Sequence, residues 1–184
     1  MRIWQIFSLT ALLILSGCAL NPSVRTTIEN DAALIFGFID MKESPYALEC
    51  VRITQAERSG IAYRQSCMTT LPSGLFYMEN IPPMEYHIPF FYAGGKLHTV
   101  SSDEKDLINV PPRMIALVGP LKYKGTETTL GQTLGFSSEK FGLVPTNSPS
   151  EKELFQMLLK EVKDPRWKKR IQIRLNNLKK RGSL

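Results

Sequence analysis

Between residues 33 and 121 the chain is cut into short apolar segments by proline and glycine, and this punctuation limits the fold more than any other feature. Residues 33–41, which carry Gly37, read as one strand, and residues 48–55 and 61–69 read as two more. Residues 74–79 follow, closed by Asn80-Ile81-Pro82-Pro83. Residues 86–92 end at Gly94-Gly95, residues 96–100 and 107–110 come next, and after Pro111-Pro112 residues 114–121 lead into Lys122-Tyr123-Lys124-Gly125. Segments this short, spaced eight to twelve residues apart with turn residues between them, predict a mainly β fold, an antiparallel sandwich. Residues 125–147 are polar and turn-rich, and residues 136–144 offer a last short strand.

At Ser148-Pro149-Ser150-Glu151 the pattern changes to helix. A serine cap, a proline at the first helical position and a glutamate three residues on form a capping box. Phe155, Leu158, Leu159 and Val162 then recur at positions 0, 3, 4 and 7, one apolar stripe. Asp164-Pro165 ends that helix and opens another, in which Trp167, Ile171, Leu175 and Leu178 repeat on one face to about Lys180. The expected organisation is a segment 1–17, a tether 18–32, a sandwich 33–147 and a basic amphipathic helical tail 148–184.

Within the sandwich, Gly37-Phe38-Ile39-Asp40, Pro45, Val51, Gly74-Leu75-Phe76, Asn80-Ile81-Pro82-Pro83 and Tyr86 resemble the repeat of the carboxypeptidase regulatory domain, a transthyretin-like (prealbumin-like) β-sandwich. The resemblance covers about residues 33–92 and departs at the corner, where Met84-Glu85 replaces the family's Gly-x. It implies a scaffold or adhesive module, in which Pro82-Pro83 stiffens a turn and Tyr86 packs inward at the start of the next strand.

The amino terminus bears on location. Met1-Arg2 is a short basic start, and residues 3–15 are an apolar run interrupted only by Gln5, Ser8 and Thr10. That run is shorter than the roughly 20 residues needed to span a bilayer, so it reads as a signal-peptide core. Leu15-Ser16-Gly17-Cys18 resembles the lipobox of bacterial lipoproteins. The resemblance implies cleavage before Cys18 and diacylglyceryl and palmitoyl-type acylation of that cysteine. Ala19, rather than Asp, then points to the outer membrane, on its periplasmic face or at the cell surface. Each buried methylene contributes about 0.8 kcal/mol, so two or three acyl chains anchor a protein permanently.

Two cysteines remain, Cys50 and Cys67, and in an oxidising envelope an even remainder suggests a disulfide. If Ala56 pairs with Ile61 across a Glu57-Arg58-Ser59-Gly60 loop, the two cysteines face each other directly. Two buried free thiols are the alternative. Metal binding is not expected, since neither cysteine has a second ligand at suitable spacing.

Charge separates the two parts of the chain. The formal net charge is +6. Residues 151–184 hold eleven basic and four acidic side chains, whereas residues 18–150 hold eleven basic and thirteen acidic ones. The excess therefore belongs to the tail, with Lys168, Lys169, Arg170 and Arg174 as the candidate contacts to an anionic surface: peptidoglycan, anionic lipid such as lipid A phosphates, or an acidic protein partner. The plainer expectation is that the apolar stripe packs on the sandwich while the cations face solvent. Nucleic acid is excluded as a partner by export.

Catalytic chemistry is sparse. Ser102-Asp103-Glu104-Lys105 and Ser137-Ser138-Glu139-Lys140 match Ser-x-x-Lys, but the Ser-x-Asn and Lys-Thr-Gly companions of penicillin-binding enzymes are missing. His87 and His98 read as packing or surface histidines. Asp103, Glu104 and Asp106 lack calcium-loop spacing and read as a solvated turn. No cofactor is expected. The reading is therefore a non-enzymatic binding or assembly module of the bacterial cell envelope, with an envelope hydrolase or an accessory subunit of a secretion or surface machine as alternatives.

Overall fold

The computed structural model describes residues 30–55, 66–100, 107–126 and 140–181. The strands are β1 (Ala33–Asp40), β2 (Leu48–Gln55), β3 (Ser66–Cys67), β4 (Thr69–Thr70), β5 (Leu75–Ile81), β6 (Met84–His87), β7 (Phe90–Ala93), β8 (Lys96–Thr99), β9 (Ile108–Val110), β10 (Ile115–Thr126) and β11 (Lys140–Pro145). Two helices follow, α1 (Glu151–Glu161) and α2 (Pro165–Arg181). The Ser-x-x-Lys segments, the Asp103–Asp106 carboxylates, Ala56, Ile61 and Cys18 lie outside the described residues, apart from Lys140 at the start of β11.

The first sheet has the order β11-β10-β1-β5-β4. β1 lies at its centre and reads Ala-Leu-Ile-Phe-Gly-Phe-Ile-Asp, an unbroken apolar run to Ile39, because both of its faces are covered. Here the fully antiparallel expectation is corrected: β1 and β10 run parallel, with Leu34 opposite Ile115 and Asp40 opposite Lys122. Parallel neighbours need a long crossover. The crossover in this chain contains the whole second sheet, a separation that periodicity within one segment cannot reveal.

That second sheet runs β8-β7-β2-β6-β9, with β3 also paired to β2. Residues 86–92, expected as one strand, are split into β6 and β7 by Ile88-Pro89, since proline has no N–H for the ladder. Both pieces pair antiparallel with β2, Thr54 opposite His87 and Val51 opposite Phe91. β10 is longer than expected and continues past Pro120, with a register shift between Gly37 and Phe38 of β1 accommodating the irregularity.

One core fills the space between the sheets, built from Ala33, Ile35, Ile39, Val51, Ile53, Phe76, Tyr86, Phe91, Val110 and Tyr123 among others. A second core covers the opposite face of the first sheet, where Leu34, Phe36, Phe38 and Leu75 meet Leu154, Phe155, Leu158, Val162, Trp167, Ile171 and Leu175 from the helices. The molecule therefore has three layers: helix pair, first sheet, second sheet.

Three local features explain the sequence pattern. A Cβ at Gly37 would lie 2.6 Å from the Val118 carbonyl oxygen and run into the Phe76 ring, so glycine is required where that ring crosses β1. At the Pro82-Pro83 corner the Tyr86 hydroxyl donates to the Pro82 carbonyl at 2.7 Å, and Asn80 takes a left-handed backbone (φ 61°). Helix α1 starts two residues later than expected: Ser150 is the cap, its Oγ accepts from the Glu153 amide, and the Glu153 carboxylate accepts from the Ser150 amide at 2.8 Å. Ser148-x-x-Glu151 and Ser150-x-x-Glu153 are overlapping boxes, and the second one is used.

Cys50 and Cys67 form a disulfide, but not through the expected register. Cys67 lies opposite Arg52, so the cysteines are diagonal neighbours with Cα atoms 5.6 Å apart. A slip of two residues preserves the face, which is why the pairing survives it.

Candidate functional site

The most strongly marked surface among the described residues is α2. Asp164 caps it: its Oδ1 accepts from the Arg166 amide at 2.8 Å, its carbonyl accepts from the Lys168 amide, and Pro165 occupies the first helical position. From Pro165 to Arg181 the helix carries eight basic residues and no acidic one. Arg166, Lys168 and Lys169 lie in its first turns, where the positive end of the helix dipole disfavours cations by about 0.3–1 kcal/mol each. A local rule broken in this way points to a role beyond helix stability.

Docking sets the orientation of this charge. Trp167 is 2% exposed, and its indole Nε1–H donates to Asn80 Oδ1 at 2.9 Å. Ile171 and Leu175 are buried on the same side, and Leu178 is half-buried. Arg166, Lys169, Ile173, Asn176 and Lys180, at positions 0, 3, 7, 10 and 14, occupy the opposite face and are all exposed. Ile173 is 52% exposed, an apolar residue set among cations that the sequence reading did not single out. Its position was legible only after the buried stripe had been assigned.

The structure divides the four candidate cations. Lys168 and Lys169 are exposed. The Arg170 guanidinium stacks over the Trp167 ring, 4.7 Å from its centroid, and is half-buried. Arg174 donates to Glu151 Oε1 at 2.9 Å and lies 6.0 Å from the centroid of the Phe155 ring. The two arginines thus tie α2 to its own tryptophan and to α1, while the two lysines are exposed, Lys169 on the face opposite the buried stripe and Lys168 on its flank.

Acidic groups gather where the helices turn. Burial first, and then the nearby Asp164 carboxylate, raise the Glu79 carboxyl above its ordinary range. The Tyr77 phenol is raised by burial, then by Glu79 and Glu161. Among the described residues no group of three or more histidine, cysteine or carboxylate side chains is arranged to hold a metal ion.

A second patch, also missed by sequence reasoning, lies on the outer face of the second sheet. Arg52 alternates with buried Val51 and Ile53, and its guanidinium stands 5.5 Å from the Tyr92 ring centroid and 6.0 Å from that of Phe90. Leu97, 53% exposed, lies opposite Tyr92 on β8. His98 points the other way: it is buried and stacked on Phe91 at 4.9 Å with a 10° interplanar angle, which makes it a packing residue. His87 is half-buried in β6.

No protein-family model, curated protein or solved structure matches the chain. No helix among the described residues is long and apolar enough to cross a membrane.

Proposed function

We propose that this protein is an outer-membrane lipoprotein, anchored through acylated Cys18, that serves the bacterial cell envelope as a non-enzymatic binding or assembly module through a polyanion-binding helix. The observation that carries this reading is the acid-free helix α2, held on a rigid sandwich with Lys168 and Lys169 exposed. The arrangement has the logic of a display scaffold: packing and the Trp167–Asn80 bond fix the helix, and the exposed lysines meet the partner. Sulfate, phosphate and carboxylate groups on an envelope surface suit such a stripe, each lysine near a charged surface contributing about 1 kcal/mol.

The sandwich is of the transthyretin-like kind in this reading. Support comes from the contacts among the motif residues: Gly37 beneath Phe76, the left-handed Asn80 before Pro82-Pro83, and the Tyr86 hydroxyl closing the corner on Pro82. Met84-Glu85 takes the corner without glycine, because the positive φ falls at Asn80 instead.

Anchoring is tested by Cys18→Ser. The variant is expected to leave the membrane fraction and to lose incorporation of radiolabelled palmitate. Continued membrane association without label would refute the lipoprotein assignment.

A further inference from the structure

We infer that the partner of α2 is the anionic phospholipid surface in which the chain is itself anchored, so that the body lies on the bilayer with its helical face down. The inference rests on the lipoprotein reading and specifies what its cationic helix touches. Two observations carry it, the placement of the tether and the charge pattern of the exposed face.

The chain enters the sandwich at the end where α2 begins. Asn30 and Asp31 precede β1, and their carbonyls accept from Arg113 side-chain and backbone N–H groups at 2.9 and 3.1 Å. Ala33, the first residue of β1, pairs with Ile81, and the neighbouring Asn80 accepts the Trp167 indole N–H. The tether exit, the Asn80–Pro83 corner and the first turn of α2 therefore share one end of the molecule. Residues 19–29 span at most about 40 Å between Cys18 and Asn30, at roughly 3.5 Å per residue. That reach exceeds the length of α2, about 25 Å at 1.5 Å per residue. The body can therefore lie flat against the bilayer, whereas a partner well beyond this distance is out of range.

The outward face of α2 has the composition of an interfacial helix. Lys169 and Arg166 flank exposed Ile173 on a helix without a single carboxylate, while Lys168 is exposed on the flank of the helix beside the buried stripe. Of the cations in the first turns, Arg166 is held by Asp164 at 3.1 Å, whereas Lys168 and Lys169 form no ion pair among the described residues and are exposed. Cations around an apolar side chain match phosphate headgroups over an acyl boundary, with the isoleucine entering at headgroup depth. Leu97, equally exposed, lies on the far sheet and faces away.

The test compares two tryptophan positions in the full-length lipidated protein on vesicles containing brominated phosphatidylglycerol, with the signal of buried Trp167 subtracted. Ile173→Trp is expected to be quenched at least threefold more than Leu97→Trp. Adding Lys169→Gln should weaken the contact about fivefold, as should raised salt, without changing flotation through Cys18. Neutral phosphatidylcholine vesicles should abolish the difference. Equal quenching at the two positions in floating protein overturns this orientation alone, as does retention by purified peptidoglycan that depends on Lys169 while vesicle contact does not. Failure to float with the vesicles overturns the lipoprotein reading and this inference together.

Discussion

Replacing Leu158 tests whether the helix pair and the sandwich are one cooperative unit. Leu158 is fully buried on α1, in the cluster that joins Leu34, Phe36 and Leu75 of the first sheet to Trp167 and Ile171 of α2. Leu158→Ala removes three carbons there and leaves a cavity that three rigid elements cannot close. Buried leucines truncated in this way lose roughly 3–5 kcal/mol, so a loss of about 3–4 kcal/mol is expected. For a chain of this size each kcal/mol shifts the melting temperature by about 2–4 °C, which gives a drop of about 6–16 °C. Thermal unfolding should be followed by far-ultraviolet circular dichroism and by Trp167 fluorescence, whose transitions should stay coincident and move together. Ile173→Ala, on the exposed side of α2, is the control and should stay within about 0.5 kcal/mol. Helical melting that shifts alone, with the sheet signal at its original temperature, would refute the cooperative account, as would a drop of less than 2 °C.

Cys67→Ser removes a cross-link closing a separation of 17 residues and should cost about 3 kcal/mol in urea unfolding. Gly37→Ala forces a methyl group against Phe76 and the Val118 carbonyl, and should lower stability by about 1–3 kcal/mol by the same measurement. Glu79 titrates above its ordinary value in the folded protein, so the stability associated with its protonated form is full below the unfolded pKa and is lost as pH rises through the folded one. Glu79→Gln should therefore stabilise the protein at pH 7 and show no such gain at pH 3.5 in parallel denaturation curves. Arg174→Ala breaks only an exposed pair with Glu151 and should change stability by no more than about 1 kcal/mol in thermal melts.

Much of the fold is legible from local spacing. Proline and glycine punctuation located most of the strands to within one or two residues, because proline cannot donate to a ladder and glycine readily takes the backbones that tight turns need. The apolar stripe Phe155, Leu158, Val162 and then Trp167, Ile171, Leu175 was readable as a buried face, since only one side of a helix can meet a sheet. The even pair of cysteines announced a bridge, although its register was two residues away from the one inferred from the loop. The concentration of positive charge beyond residue 150 is likewise a property of the sequence alone.

Tertiary structure decided what no local pattern contains. Whether β1 lies parallel to β10 depends on where a crossover of some seventy residues returns, and hydrogen bonds between strands that far apart leave no mark on either strand. The four candidate cations were equivalent as sequence, yet packing turned Arg170 onto Trp167 and Arg174 onto Glu151, leaving Lys169 outward with Ile173 and Lys168 exposed on the helix flank. Composition determined that the tail is basic; the helix's rotation about its axis, set by the buried tryptophan and its bond to Asn80, decided which of those charges a partner can touch.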